Sequence, residues 1–291
     1  MSAADSSLSF SIPTLNARGR LVRLETTLTQ ILSAHGYPPA IEALLTESLV
    51  VTALLGTLLK DAEGQLTLQA QAEGGVVTLL VCDYQAGKIR GYVQHDAEAA
   101  KALPFTPSLA DLFGTGYLCV TFDQAVSGER YQGIVPLDGM SIAEAIESYF
   151  AQSEQIPSLV RVGIDGDVAG GLLLQHLAEG EEGRERLHTR LDHPDWEQVE
   201  ILGSTIKANE LGDPALPLET IAWRLFSEAG DVRVSGSGPL SRGCRCDPDH
   251  IRGVLSRFPE DERAAMADEH GIISVDCAFC AKAFPIIAAE L

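Results

Sequence analysis

Four of the six cysteines in this chain of 291 residues fall in two tight pairs near its C-terminal end. Cys244 and Cys246 form a CxC pair, Cys277 and Cys280 form a CxxC pair, and 30 residues lie between the pairs. Four thiolates can surround one zinc ion tetrahedrally, and pairs this close meet that geometry with little constraint on the chain inside each pair. CxxC is the ordinary spacing of a zinc knuckle; the rarer CxC is the more informative half. One zinc ion on Cys244, Cys246, Cys277 and Cys280 is therefore expected, against unpaired thiols or two catalytic dithiols. His250 and His270 lie between the pairs, but four sulfurs already complete a tetrahedron. Both are expected to be surface residues of the insert.

That insert reads as two short helices. Asp247 can cap "PDHIRGVLSRF", and Pro259 suits the first turn of "PEDERAAMADEHG", which is expected to end at Gly271. Few large apolar side chains occur from Gly236 onward, so the segment's own core should contribute little net stability. Structural zinc supplies on the order of 10 to 16 kcal/mol in small modules, and its removal should unfold this one. Zinc-bound sulfur is thiolate, the oxidisable form of cysteine. An oxidation-triggered unfolding signal and a permanently reduced structural module both remain open at this level. Cys82 and Cys119 stand alone in apolar strands, where buried, inert thiols are expected.

The rest of the chain alternates helix and strand patterns. "RLETTLTQILSAHGYPP" reads as a helix stopped by Gly36 with Pro38 and Pro39 behind it. "PAIEALLTESLVVTALLGTLLKD" is apolar almost all round, as a buried central helix would be. "QLTLQAQ", "VVTLLVCDY" and "KIRGYVQH" predict a meander of antiparallel strands, and "YLCVTFD" with "RYQGIVPL" predicts another hairpin. Ser141 and Glu144 have capping-box spacing before a helix, and "SLVRVGIDGDVAGGLLLQHL" predicts two strands about "DGD". That turn resembles the start of a calcium loop but lacks the later ligands. The fold expected is α+β: an N-terminal domain of antiparallel sheet and helix over 1–177, a metastable helical linker layer over 178–236, and a small zinc module over 237–291. Within the linker, Ile221, Ala222, Leu225 and Phe226 make an apolar stripe that needs a partner, either as a connecting layer or as a lid over the first domain. "SGSGPLSRG" reads as the connection to the cysteine module.

With those segments in view, the chain resembles the redox-regulated 33 kDa chaperonin, or heat shock protein 33, family. The resemblance rests on "GRLVRLETTL", "LLGTLLKDAEGQLTLQAQAEGGVVTLLVCDYQAGKIRGYV", "YQGIVPLDGMSIAEAIESYFAQSEQIP", "AGGLLLQ" and the CxC and CxxC pairs. It implies an ATP-independent holdase, not an enzyme, whose reduced form binds one zinc ion through Cys244, Cys246, Cys277 and Cys280 and is inactive. It further implies that oxidation expels zinc and forms two neighbouring disulfides, Cys244 with Cys246 and Cys277 with Cys280. The module then unfolds, the linker loosens, and the protein binds unfolding clients and dimerises. Such short-loop disulfides join nothing across the insert, so they would do little to restore its fold. One departure stands out: the family commonly has Gly directly after CxxC, where this chain has Ala281. A left-handed turn there would cost Ala about 1 kcal/mol.

Charge agrees with that picture. Lys and Arg total 21 against 41 Asp and Glu, a formal charge of -20, which repels nucleic acid and anionic lipid. "AGKIR" lacks the glycine and hydroxyl residues of a phosphate loop, so ATP is not an expected partner. Neither a secretory signal nor an apolar run of the roughly 20 residues needed to cross a bilayer is seen, and a cytoplasmic location without membrane contact is expected. Two other functions remain compatible with the residues: a thiol-disulfide oxidoreductase acting through CxxC, and a static zinc-ribbon interaction module.

Overall fold

The structure, a computed structural model, describes residues 5–59, 63–125, 128–177 and 193–291. Its helices, numbered along the chain, are α1 (Thr26–Leu32), α2 (Pro39–Gly56), α3 (Leu109–Phe113), α4 (Ile142–Tyr149), α5 (Pro194–Ser204), α6 (Ala208–Gly212), α7 (Leu218–Phe226), α8 (Pro248–Leu255) and α9 (Glu260–Met266). A first sheet, antiparallel throughout, runs in the order β10 (Arg233–Pro239), β1 (Ser6–Ile12), β2 (Ala17–Leu24), β9 (Val168–His176), β8 (Ser158–Asp165). A second has the order β11 (Ser241–Arg242), β5 (Lys88–His95), β4 (Val77–Gln85), β3 (Gln65–Glu73), β6 (Thr115–Asp123), β7 (Arg130–Pro136), with only β11 parallel to its neighbour. The hairpin β12 (Ile272–Asp276) and β13 (Ala283–Ile287) belongs to the C-terminal module.

The buried central helix is α2. By length and composition it could cross a membrane, yet 72% of that stretch is buried inside the protein, where it packs with both sheets. Alternation along the strands then sorts side chains to opposite faces. Val22, Leu24, Val160 and Leu173 of the first sheet face the α2 core, whereas Leu21, Leu159, Leu172 and Leu174 join a second core under α5 and α7. Strand β9 is therefore covered on both sides, and all of its residues are buried. The stripe on α7 behaves as its pattern predicts: Ile221, Ala222 and Phe226 are buried in that second core, and Leu225 packs against it.

Helix α6 approaches the sheet where β8 and β9 pair Gly163 with Gly170. A Cβ on either glycine would collide with the backbone of Ala208 or Leu211, so bare backbone at these two positions is what admits the helix. Arg23 supplies donors from β2 both to the final carbonyls of α6 and to the loop that follows it. Its Nε donates to Leu211 O at 3.0 Å, its Nη1 to Leu216 O at 2.8 Å and, more weakly, its Nη2 to Glu210 O at 3.5 Å.

Four local readings need amendment. Residues 6–12 and 17–24 form β1 and β2, and the helix expected from Arg23 onward begins only at Thr26, because Arg23 is a strand residue whose buried charge is satisfied by α6 and the loop after it. "SGSGPLSRG" is not a free connection: it completes β10 and contains β11, edge strands whose mostly exposed positions carry no apolar signal. Helix α9 stops at Met266 rather than Gly271, since Ala267 is extended and Asp268 instead holds a tight turn through the backbone N–H groups of His270 and Ile272. The Ser141 box is half formed: Ser141 Oγ accepts from Glu144 N–H, while Glu144 turns to Met140 N–H. The "DGD" segment is a hairpin turn with Gly166 at φ 58°.

Candidate metal centre and its docking contacts

Strand β11 sets the entry of the cysteine module. Its parallel pairing with β5 and the bond from Gly243 N–H to Ile89 O at 2.9 Å bring the CxC pair to the edge of the second sheet. Asp247 caps α8 by accepting from Asp249 N–H at 3.0 Å, as its position predicts. The other pair sits on the turn between β12 and β13. There Cys277 O accepts from Cys280 N–H and Ala281 N–H, and Cys277 N–H donates to Lys282 O. Ala281 has φ 53°, the left-handed conformation in which glycine is favoured.

These elements bring all four expected sulfurs together within 4.8 Å of one another. Sγ separations are 3.4 Å for Cys244–Cys246, 3.6 Å for Cys244–Cys277 and 3.8 Å for Cys246–Cys280. Sulfurs placed tetrahedrally about 2.3 Å from zinc would stand roughly 3.8 Å apart, so the donor set and its spacing fit that ion. The thiols are unequal. Burial, reinforced by hydrogen bonds with Cys244 and Cys280, pushes Cys246 up to about 12, and burial also raises Cys277. For Cys244 burial opposes ionisation, but hydrogen bonds from the Cys246 backbone and from the other three cysteines bring it down to about 7. One thiolate forms readily while Cys246 and Cys277 resist following it, a repulsion that a divalent cation relieves.

The module is also docked against the second sheet. On the outer face of the second sheet, Thr67, Asp83 and Arg90 lie directly opposite one another on β3, β4 and β5. Asp83, buried, accepts from Thr67 Oγ1 at 2.8 Å and from Arg90 Nη2 at 2.6 Å. Arg245, the middle residue of CxC, reaches the same group: Nη1 donates to Gln65 Oε1 at 2.6 Å, and Nη2 lies 3.4 Å from Asp83 Oδ2. Phe279, inside CxxC, has the Arg90 guanidinium 3.9 Å above its ring and Tyr92 edge-on at 4.9 Å. Its carbonyl is 3.3 Å from His35 Nε2, whose imidazole burial holds below the usual histidine range. Arg245, Phe279, Asp83, Arg90 and Tyr92 were not singled out by the sequence reading. The available signal was a bulky side chain inside each knuckle, exposed unless it docks.

The module's own core is a cluster of three buried residues, Leu255, Ile273 and Ile286. His250 and His270 are exposed and lie outside the sulfur cluster, as expected. Cys82 and Cys119 are buried; burial raises the Cys82 thiol far above its usual range, and Cys119 Sγ receives Gln132 Nε2 at 2.6 Å.

Fold and site together define a mixed helix-and-sheet protein with a small C-terminal module able to hold a metal ion. The sequence model of the family described as Hsp33 protein matches residues 5–286. The chain is 37% identical over 289 residues to the 33 kDa chaperonin of Caulobacter vibrioides, covering 95% of this chain and 93% of that one. Against the 33 kDa chaperonin of Ectopseudomonas mendocina it is 35% identical, covering 99% and 94%. The crystal structure of the 33 kDa chaperonin from Thermotoga maritima superposes with a TM-score of 0.79 at 23% identity, covering 99% of this chain and 96% of that one. The chain belongs to the Hsp33 family, and that membership supports a chaperone function.

Proposed function

We propose that this protein is a redox-regulated, ATP-independent holdase that binds unfolding proteins after oxidation of its C-terminal thiols. In the reduced state Cys244, Cys246, Cys277 and Cys280 hold one zinc ion, which ties the two ends of the module together. Oxidation joins Cys244 to Cys246 and Cys277 to Cys280; each disulfide forms as two zinc-bound thiolates give up two electrons. With hydrogen peroxide as acceptor, the O–O bond breaks and its two oxygens leave as two waters, taking up two protons from solvent. Disulfide sulfurs are poor ligands, so the ion is released and the module loses its tie.

The observation that carries this reading is the convergence of four sulfurs within 4.8 Å in a module whose core cluster has three buried residues. Further support comes from the chain path. From α7 it runs through β10 at the edge of the first sheet and β11 at the edge of the second, directly into Cys244. Loss of the module therefore loosens the same strands that follow the helical layer. Residues 1–177 then act as the chaperone domain, 178–236 as the metastable layer and 237–291 as the switch. Lifting α5 and α7 would bare Leu8, Phe10, Ile12, Leu21, Leu172 and Leu174, an apolar sheet face for clients and for a homodimer of the oxidised form. The protein works in the cytoplasm, with neither nucleic acid nor membrane as partner, and it is not an enzyme.

Aggregation of a heat-unfolding client tests this directly. Suppression should appear only after peroxide treatment with mild heat, and equal suppression by the reduced, zinc-loaded protein would overturn it. Thiol-disulfide exchange through CxxC is the second reading, although burial raises Cys277, the first thiol of that pair, away from the activated thiolate it would need. Turnover of a dithiol substrate without zinc loss would establish it instead.

A further inference from the structure

We propose a second metal site, separate from the cysteine cluster, in which His176, His193 and Asp195 bind a divalent transition metal of the zinc class. One nitrogen from each histidine and one carboxylate oxygen all lie within 4.8 Å of one another. His176 is the last residue of β9; it is 3% exposed, and its backbone N–H is fixed to Pro157 O at 3.0 Å. His193 and Asp195 come from the start of α5. There His193 Nδ1 accepts from Asp195 N–H at 3.2 Å, and the His193 ring stands 4.9 Å from that of His176.

Outer contacts hold the three groups in place. Asn16 Nδ2 donates to Asp195 Oδ2 at 3.2 Å, and the Asn16 carbonyl accepts from Leu177 N–H at 2.7 Å, so one residue steadies both the carboxylate and the strand end carrying His176. Trp196, buried, lies 6.2 Å from the His176 ring and closes the apolar side. Such supporting bonds to ligands are what tune metal sites. Two imidazoles and one carboxylate suit zinc, nickel or cobalt and leave a coordination position for water, whereas calcium and magnesium want more oxygens. The positive end of the α5 dipole opposes a cation there; Asp195 and Glu197 in the first turn counter it.

The ligands belong to two different parts: β9 of the sheet and the first helix of the layer over it. An ion held by both binds only the covered arrangement and stabilises it by mass action. This site stands independently of the redox reading, although it bears on the same layer.

Cobalt added to the full chain, with the cysteine cluster first loaded with zinc, is the test. One further equivalent should bind, with weak visible d–d absorption and no new thiolate-to-cobalt charge-transfer band. His193→Asn keeps a side chain able to cap α5 while removing the imidazole, and Asp195→Asn removes the charge. Each should weaken uptake about tenfold or more, with His270→Asn as an unaffected surface control. Cobalt should also raise the melting temperature of the wild type and not of His193→Asn. Absence of the further equivalent, a thiolate band accounting for all uptake, or equal affinity in His193→Asn would overturn the proposal.

Discussion

Replacing Arg23 by Met isolates the tie between the first sheet and its helical cover. Methionine keeps much of the buried stem but removes the donors to Leu211 O at 3.0 Å and Leu216 O at 2.8 Å; the 3.5 Å contact to Glu210 O is too long to count for much. Two carbonyls orphaned against the sheet cost about 1 to 3 kcal/mol each. Part of this is returned because the cation itself is buried, a cost visible in burial drawing its pKa below the arginine norm. A net loss of about 2 to 3 kcal/mol remains, which multiplies the opening of the layer roughly 30- to 150-fold. Hydrogen exchange resolved by peptide should then accelerate by that factor in α5, α6 and α7 while α2 stays protected. The reduced, zinc-loaded variant should also suppress client aggregation in part. Unchanged exchange in α6 would refute the reasoning, since it would mean that these bonds do not hold the layer down.

Phe279→Ala removes the Arg90 and Tyr92 ring contacts, worth about 1 to 2 kcal/mol together, and should speed exchange in β5 and β11 with metal content unchanged; equal exchange would show that the module is tethered but not docked. Ala281→Gly relieves a residue held at φ 53° and should raise zinc affinity about fivefold in competition with a chelator, with no change counting against strain at this turn. Zinc affinity should fall as pH falls, because Cys246 and Cys277, both raised, must give up protons to bind; a pH-independent affinity from about pH 8 to about pH 6 would exclude thiolate ligation. Chelation should abolish the circular dichroism of α8 and α9 and leave α2 intact, whereas full helix retention would show that the three-residue core suffices.

Much of the fold was legible where a pattern has one physical meaning. The 18-residue helix α2, apolar almost all round, reads as a buried central helix and is one, and alternating or continuous apolar runs separated by Gly-containing turns gave β3, β4, β5, β8 and β9. Not read were β1, although its Leu8, Phe10 and Ile12 alternate with serines and are buried, and β2 and β10. Arginines alternate along β2, and β10 is a nearly all-exposed edge rich in Ser and Gly, so neither carries the apolar signature by which strands are recognised. Ser237 and Gly238 read as a linker in isolation because the partner that makes them a strand, Leu8 and Ser7, lies more than two hundred residues away.

Sequence by itself determined the donor chemistry. Cysteines at CxC and CxxC spacing supply two sulfur pairs whose local geometry suits a metal half-site, and the fold brings the four within 4.8 Å of one another. It also gave the terminal module a small core of its own, because few large apolar side chains are present to bury. Tertiary structure alone decided what that module is connected to. Phe279 meets Arg90 and Tyr92, Arg23 reaches the end of α6, and His176 meets His193 only because strands and helices distant in the chain pack side by side. Contacts of that kind depend on register and on which face each side chain takes, and these are set by the whole sheet rather than by any short stretch of residues.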